Sequence, residues 1–300
     1  MTNPDTGLTS LGPIACVTVT APDLDAVEHA YTKYLDQQVI ARGVISADQA
    51  ALWGTPGMAD RRYLLLSPAA GTESIFRFIE APTDTDYAPF STYGWNAAEI
   101  MVQDVDAMAV RLADSPFEIV GQPQNLSFSD DIRAMQILGP GKELLYLTEF
   151  KKQLPAFDTP VARCSVDRVF IVILGGPSMD GLQNFYGSEF GVPGAPAVES
   201  RVKGMSAAFG NSPEHKYLIA ALPLAGKTLI EADEMPAEAK RRPQQAGLLP
   251  AGISIISFIG HNVDAASAAE AISSEAPYGA HAQVTCKTGP AGEIIEVIHA

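Results

Sequence analysis

Two glutamates stand inside otherwise apolar runs, Glu231 in TLIEADE (228–234) and Glu296 in EIIEVIHA (293–300). A carboxylate in such a setting is either paired with a cation or desolvated, so that its pKa rises toward neutrality and it can serve as a general base or an oxygen ligand. Structural ion-pair networks perturb carboxylates as well, so both readings stand. Arg168 in DRVFIVIL (167–174) puts a fixed positive charge at the head of an apolar run. It suits a substrate carboxylate or enolate, or it neutralises the two glutamates. Arg77 (IFRFIE), Glu99 (NAAEIMVQ) and Tyr146 (ELLYLTEF) form a second polar set on strand-like segments. Alternation places Ala97, Glu99 and Met101 on one face. An Arg77–Glu99 salt bridge with Tyr146 bonded beside it is the structural reading. A polar anchor for a small ligand, with Tyr146 as acid or donor, is the functional one. Cys16 has no basic partner in its motif and reads as a small buried residue rather than a nucleophile. Of five histidines, His215 opens HKYLIAA and His261 follows an apolar strand; a metal site using either with the glutamates is the alternative to a structural role.

No other motif competes: there is no GxGxxG after a strand, GxxxxGK[ST], HExxH or GxSxG. With 20 Lys+Arg against 35 Asp+Glu, the net charge of −15 disfavours nucleic acid and anionic membranes as partners. Apolar runs are strand-sized, as in FIVIL at 170–174, too short to span a bilayer. The N-terminus lacks the pattern of a secretory signal. Three scattered cysteines fit a reducing compartment, and a soluble cytoplasmic protein is expected.

The elements that must position these residues repeat. Residues 61–82 align without a gap on 215–236, placing Tyr63 on Tyr217, Leu64 on Leu218, Glu80 on Glu234 and Pro82 on Pro236. GPGKELLYL (139–147) matches GPAGEIIEV (289–297), and VQDVDA (102–107) matches GHNVDA (260–265). Quarter one thus resembles quarter three, and two resembles four. Each quarter opens on a β-rich run followed by a helical segment: APDLDAVEHAYTKYL capped by Asp23 or Asp25, DVDAMAVRLAD with an acidic cap, GLQNFYGSEFG with Gly191 as a stop, and HNVDAASAAEAISSE. Further strand candidates then end in IFRFIE, ELLYLTEF, TLIEADE and EIIEVIHA, so the unit is β-α-β-β-β. The connectors 81–94 and 236–251 read as surface crossovers or as lids, with aromatics at 87–93 or cations at 240–242 touching ligand.

This doubled and redoubled unit, with DRVFIVIL as a first strand and the glycine turns GPGKE and GPAGE before terminal strands, resembles the vicinal oxygen chelate superfamily. That group includes glyoxalase I, extradiol dioxygenases and the fosfomycin and bleomycin resistance proteins. The resemblance implies an α+β fold of four βαβββ modules forming two open, cup-like mixed sheets with helices outside. The expected division is a first domain at 1–150 (modules about 12–82 and 92–150), a linker at 151–163 and a second domain at 164–300 (modules about 164–236 and 252–300). Whether modules pair one-with-two and three-with-four, or cross over, stays open. The resemblance also implies a divalent metal inside a cup, held by His, Gln or Glu of first strands and Glu of last strands. The matching positions here carry Cys16, Ala97, Arg168 and Ile255 on first strands, and Arg77, Tyr146, Glu231 and Glu296 on last strands. Only the two glutamates conform, so no cofactor is expected; a divalent metal is the alternative.

The function expected is action on a small oxygenated molecule by proton abstraction beside a carbonyl, of isomerase, epimerase or lyase type. Glu231 or Glu296 would be the base and Arg168 the stabiliser of the developing oxyanion, with Arg77, Glu99, Tyr146, His215 and His261 as binding residues. The alternatives are a metal-dependent glyoxalase or dioxygenase with unorthodox ligands, and a non-catalytic binding or resistance protein. A small molecule is the expected partner, and a homodimer is compatible with the sequence.

Overall fold

The structure is a computed structural model that describes residues 10–82, 86–126, 129–152, 154, 160–261 and 282–299. Module one runs β1 (Ser10–Ala21), α1 (Leu24–Tyr34), β2 (Gln38–Val44), α2 (Ala47–Leu52), β3 (Arg62–Ser67) and β4 (Ile75–Glu80). Module two has β5 (Gly94–Val102), α3 (Val105–Leu112), β6 (Glu118–Leu126), β7 (Ser129–Leu138) and β8 (Leu144–Phe150). Module three has β9 (Val166–Gly176), α4 (Met179–Phe190), β10 (Val198–Arg201), α5 (Lys203–Phe209), β11 (Lys216–Leu224) and β12 (Thr228–Glu234). Module four contributes β13 (Gly252–His261), β14 (Gln283–Thr288) and β15 (Ile294–His299). The helix expected in HNVDAASAAEAISSE lies, from residue 262 on, outside the described residues.

The helices start where short polar side chains can take up free backbone donors. The Asp23 carboxylate accepts from the amides of Asp25 and Ala26, Asp104 from Ala107, and Ser178 from Gly181. Gly191 ends α4 at φ 66°, a left-handed conformation that glycine adopts without penalty. The short helices α2 and α5, each inserted after a module's second strand, are additions to the expected unit.

The strands form two sheets, ordered β14-β15-β13-β1-β4-β3-β2 and β10-β11-β12-β9-β5-β8-β7-β6. Within a module the first strand runs parallel to the last, as β1 to β4 and β9 to β12. Two modules then join through antiparallel first strands, β1 with β13 and β5 with β9. Modules one and four therefore build one cup, and two and three the other. The boundary at 151–163 separates the sequence repeats 1–150 and 164–300, but each cup takes one module from each half, because first strands pair across the halves.

One face of each sheet packs with α1, α3 and α4 into a shared core that includes Val17, Phe78, Trp95, Leu147, Leu174 and Phe258. Trp95 also ties the sheets by donating from Nε1 to the Ile294 carbonyl (2.9 Å). The matching turns GPGKE and GPAGE make equivalent contacts. The Tyr31 hydroxyl on α1 donates to Glu143 (2.7 Å), and that of Tyr186 on α4 donates to Glu293 (3.3 Å). At Gly139 and Gly289 a Cβ would overlap the carboxylate of Glu143 or Glu293, so the glycine lets the side chain fold back over its own turn.

The crossovers are tied down from within. Arg242 donates to the carbonyls of Trp95 (2.6 Å), Ile253 (2.7 Å) and Ala251 (3.2 Å), and its guanidinium lies 4.6 Å from the centre of the Tyr87 ring. It thus cross-links 81–94, 236–251 and a strand from each sheet.

Candidate functional site

At the centre of the first cup, β1, β4, β13 and β15 each present an inward side chain. Strand register sets Cys16 opposite Ser257, Thr18 beside Arg77, and Ser257 beside Glu296. Arg77 (1% exposed) and Glu296 (0%) form a salt bridge of 2.9 Å. Arg77 also donates from Nε to Thr18 Oγ1 (3.0 Å), and its guanidinium lies 4.7 Å from the centre of the Trp53 ring. Glu296 accepts from Trp53 Nε1 (2.5 Å) and Ser257 Oγ (2.6 Å). Trp53 follows α2 and, with Ile45, Ala50 and Met58, fills the cup against Ile79, Ile255 and Ile294. Cys16 is fully buried; burial pushes its thiol up to about 11, against the pull of Arg77. This centre is a closed, hydrogen-bonded ion pair inside packed side chains.

The second cup carries a different set in the equivalent place. Register puts Glu99 on β5 beside Tyr146 on β8 and opposite Ile171 on β9. Glu231 and Asp233, two apart on β12 and so on one face, lie beside Ile173 and Gly175 of β9, and opposite Ala221 and Ile219 of β11. Phe90, Val202, Met205 and Tyr217 cover the deeper part, while Glu99, Tyr146, Ile171, Ile219 and Glu231 keep partial exposure. Glu99 accepts from Thr148 Oγ1 at 2.5 Å. Asp233 is 0% exposed, and neither carboxylate oxygen has a hydrogen-bond partner.

The electrostatics follow from this burial. Desolvation lifts the Glu99 carboxyl to about 8, against the Thr148 hydrogen bond and helped by the charge of Glu231. Glu231 and Asp233 are both raised by burial, and Asp233 further by Glu231. The Tyr146 phenol is held well above its usual range by burial and by Glu231, Asp233 and Glu99. Four acidic groups from β5, β8 and β12 thus share one desolvated wall, and two of them, Glu231 at about 7 and Glu99 at about 8, are lifted to the neutral range.

The residues singled out from sequence are divided between these places. Arg77 does not reach Glu99: β4 and β5 belong to different sheets, and Arg77 meets Glu296 instead. Arg168 meets neither Glu231 nor Glu296. It lies near the start of β9, beyond the register shift between the Glu99–Ile171 and Ile100–Val169 pairs, and donates to Glu73 Oε2 (3.3 Å), which Arg163 also bridges (2.9 Å). Glu99, Tyr146 and Glu231 come together in the second cup, as Arg77 and Glu296 do in the first. His215 is exposed and lies edge-on to Tyr217, with ring centres 4.7 Å apart, and His261 is exposed at the end of β13. Sequence reading missed Asp233, Trp53, Ser257 and Thr148. Alternation in TLIEADE does place Asp233 on the face of Glu231, whereas Trp53 lies in an insertion that no strand pattern marks.

The divalent metal implied by the resemblance does not fit these residues. A guanidinium fills the centre of the first cup, and Ala97 and Tyr146 occupy two of the expected positions in the second. Among the described residues, no three His, Cys, Asp or Glu side chains are arranged to hold a metal ion.

No family model and no curated protein matches the sequence. Solved structures do match. Glyoxalase I from Zea mays superposes with a TM-score of 0.62 at 15% identity, over 97% of this chain and 93% of that one. A candidate dioxygenase from Bacillus subtilis superposes with a TM-score of 0.62 at 11% identity, over 97% of this chain and 86% of that one. What is shared at these identities is the fold: the chain has the two-cup, four-module architecture over nearly its whole length.

Proposed function

We propose that this chain, built on the vicinal oxygen chelate fold, uses the cup of modules two and three to bind a small oxygenated organic molecule and move a proton at a carbon beside its carbonyl. The observation that carries this reading is the wall of Glu99, Tyr146, Glu231 and Asp233, partly open at one end and desolvated at the other. A carboxylate whose pKa is raised toward neutrality is matched to taking and returning a carbon-bound proton. Glu231 is the base. Glu99, which holds its proton to about pH 8, and the Tyr146 hydroxyl supply donors for the oxygen that gains charge as the enolate forms. The proton passes from carbon to Glu231 and the electron pair to the oxygen; return at the same or a neighbouring carbon gives exchange, epimerisation or isomerisation. Glu296 takes no part, being held by Arg77, Trp53 and Ser257, and Arg168 stands apart with Glu73.

The test is proton NMR of hydroxyacetone in D2O with the purified protein. The expected result is enzyme-dependent loss of the signals beside the carbonyl, slowed about 100-fold or more in Glu231→Gln. Exchange that persists in Glu231→Gln overturns the role of that residue. A ligand held without exchange would point to a binding protein.

A further inference from the structure

The acidic wall has a property that proton transfer alone does not require. Three carboxyl groups line one wall, yet among the described residues no lysine, arginine or histidine forms a salt bridge or hydrogen bond with Glu99, Glu231 or Asp233. Elsewhere in the molecule, carboxylates such as Glu296, Asp167 and Asp36 meet an arginine at 2.9 Å or less. Asp233 goes furthest: wholly buried on the inner face of β12, it has two oxygens without a donor. Native proteins rarely leave a buried carboxylate without hydrogen bonds, because the cost of desolvation then goes uncompensated. Register sets it opposite Ile219 and beside Gly175, on a cup face whose cluster of Ile173, Ile219, Met235 and Tyr217 is apolar or aromatic and suited to the carbon body of a ligand rather than to a hydrated ion.

We propose that the ligand of this cup is a small organic cation, a carbonyl compound bearing a protonated amine, whose ammonium group is received by Asp233. An ammonium carries three donors and no acceptor, which matches the two acceptor oxygens of the Asp233 carboxylate, and its charge stabilises the ionised form of that group. The proposal rests on the reading of this cup as the ligand site. It adds to that reading a chemical class, and it gives Asp233 a task distinct from that of Glu231: to hold the amine while Glu231 addresses the adjoining carbon. Ala221, exposed and opposite Glu231, marks where a cation built into the protein would compete.

The experiment titrates the full-length protein with aminoacetone and with hydroxyacetone, which share a skeleton and differ in charge, and follows binding by ligand-observed NMR. The expected result is at least about tenfold tighter binding of aminoacetone, as charge-assisted pairing with a buried carboxylate implies. That preference disappears in Asp233→Asn, and also in Ala221→Lys, which places an ammonium beside Glu231 without touching Asp233. Equal binding of the two compounds, failure of aminoacetone to bind, or a preference that survives both substitutions overturns the proposal. So does tight binding of Mn(II) that is lost in Asp233→Asn, because the cation would then be a metal. The two readings fail separately. Glu231-dependent exchange of hydroxyacetone without amine preference leaves the proton-transfer reading and removes the cation; amine preference without exchange does the reverse.

Discussion

Arg77 and Glu296 are each near zero exposure and bridge one another, with Thr18 on Arg77 and with Trp53 and Ser257 on Glu296. Removing one partner of such a pair leaves an uncompensated buried charge, whereas replacing both by apolar side chains removes the cost of desolvation as well. Arg77→Met is therefore expected to lower stability by about 3–5 kcal/mol in urea denaturation. Arg77→Met with Glu296→Leu should regain most of that loss. The double variant should also keep any Glu231-dependent exchange, since the pair belongs to the other cup. A double variant no more stable than the single one would mean that the pair holds the cup's geometry by more than charge balance. At the same scale, Glu231 and Glu296 occupy corresponding strand positions but have opposite fates. One faces other acids and the other faces an arginine, so strand position alone does not assign a role.

The GPGKE and GPAGE turns show how an element carries a titration. Burial lifts both Glu143 and Glu293 to about 7 from an ordinary 4.5, against hydrogen bonds from Tyr31 and Tyr186 and from the backbone of each turn. The folded state therefore binds more protons than the unfolded one between pH 4.5 and 7, so these groups stabilise most below 4.5, and that contribution is lost as pH rises to about 7. Glu99, raised to about 8, extends the decline in the same direction. On the acid side, Asp36 is held low by Arg111, and Asp167 is held low by Arg163 despite burial, so stability falls again once these protonate. Thermal melts should accordingly give a higher Tm near pH 5.5 than at pH 8. Glu143→Gln with Glu293→Gln, which mimics the protonated turns, should flatten that slope; an unchanged slope would place its origin elsewhere.

For the whole molecule, the decisive event is that first strands pair across the halves. β1 runs against β13 from Ser10–His261 to Thr20–Gly252, and β5 against β9 from Gly94–Gly175 to Val102–Val166. Neither half owns a complete cup, and separation would bare two interior strand edges per half. A protease site engineered into 151–163 tests this. After cleavage the halves should co-elute at the mass of the intact chain and part only on denaturation. Halves that separate in native buffer would contradict the pairing.

The sequence by itself determined the unit and its fourfold use, because strand alternation, helix caps such as Asp23 and Asp104, and turn glycines are local signals that hold wherever a module ends up. It also placed Glu99, Tyr146 and Glu231 on strands that line a cup. What it left open was which modules share a sheet, since every first strand carries an apolar run and they compete for the same edges. That choice sent Arg77 to Glu296 rather than to Glu99, and Arg168 to Glu73. It also set Asp233 with Glu231 and Glu99 on one desolvated wall. Side-chain chemistry is written residue by residue, but a site is a matter of which strands become neighbours, and only long-range packing decides that.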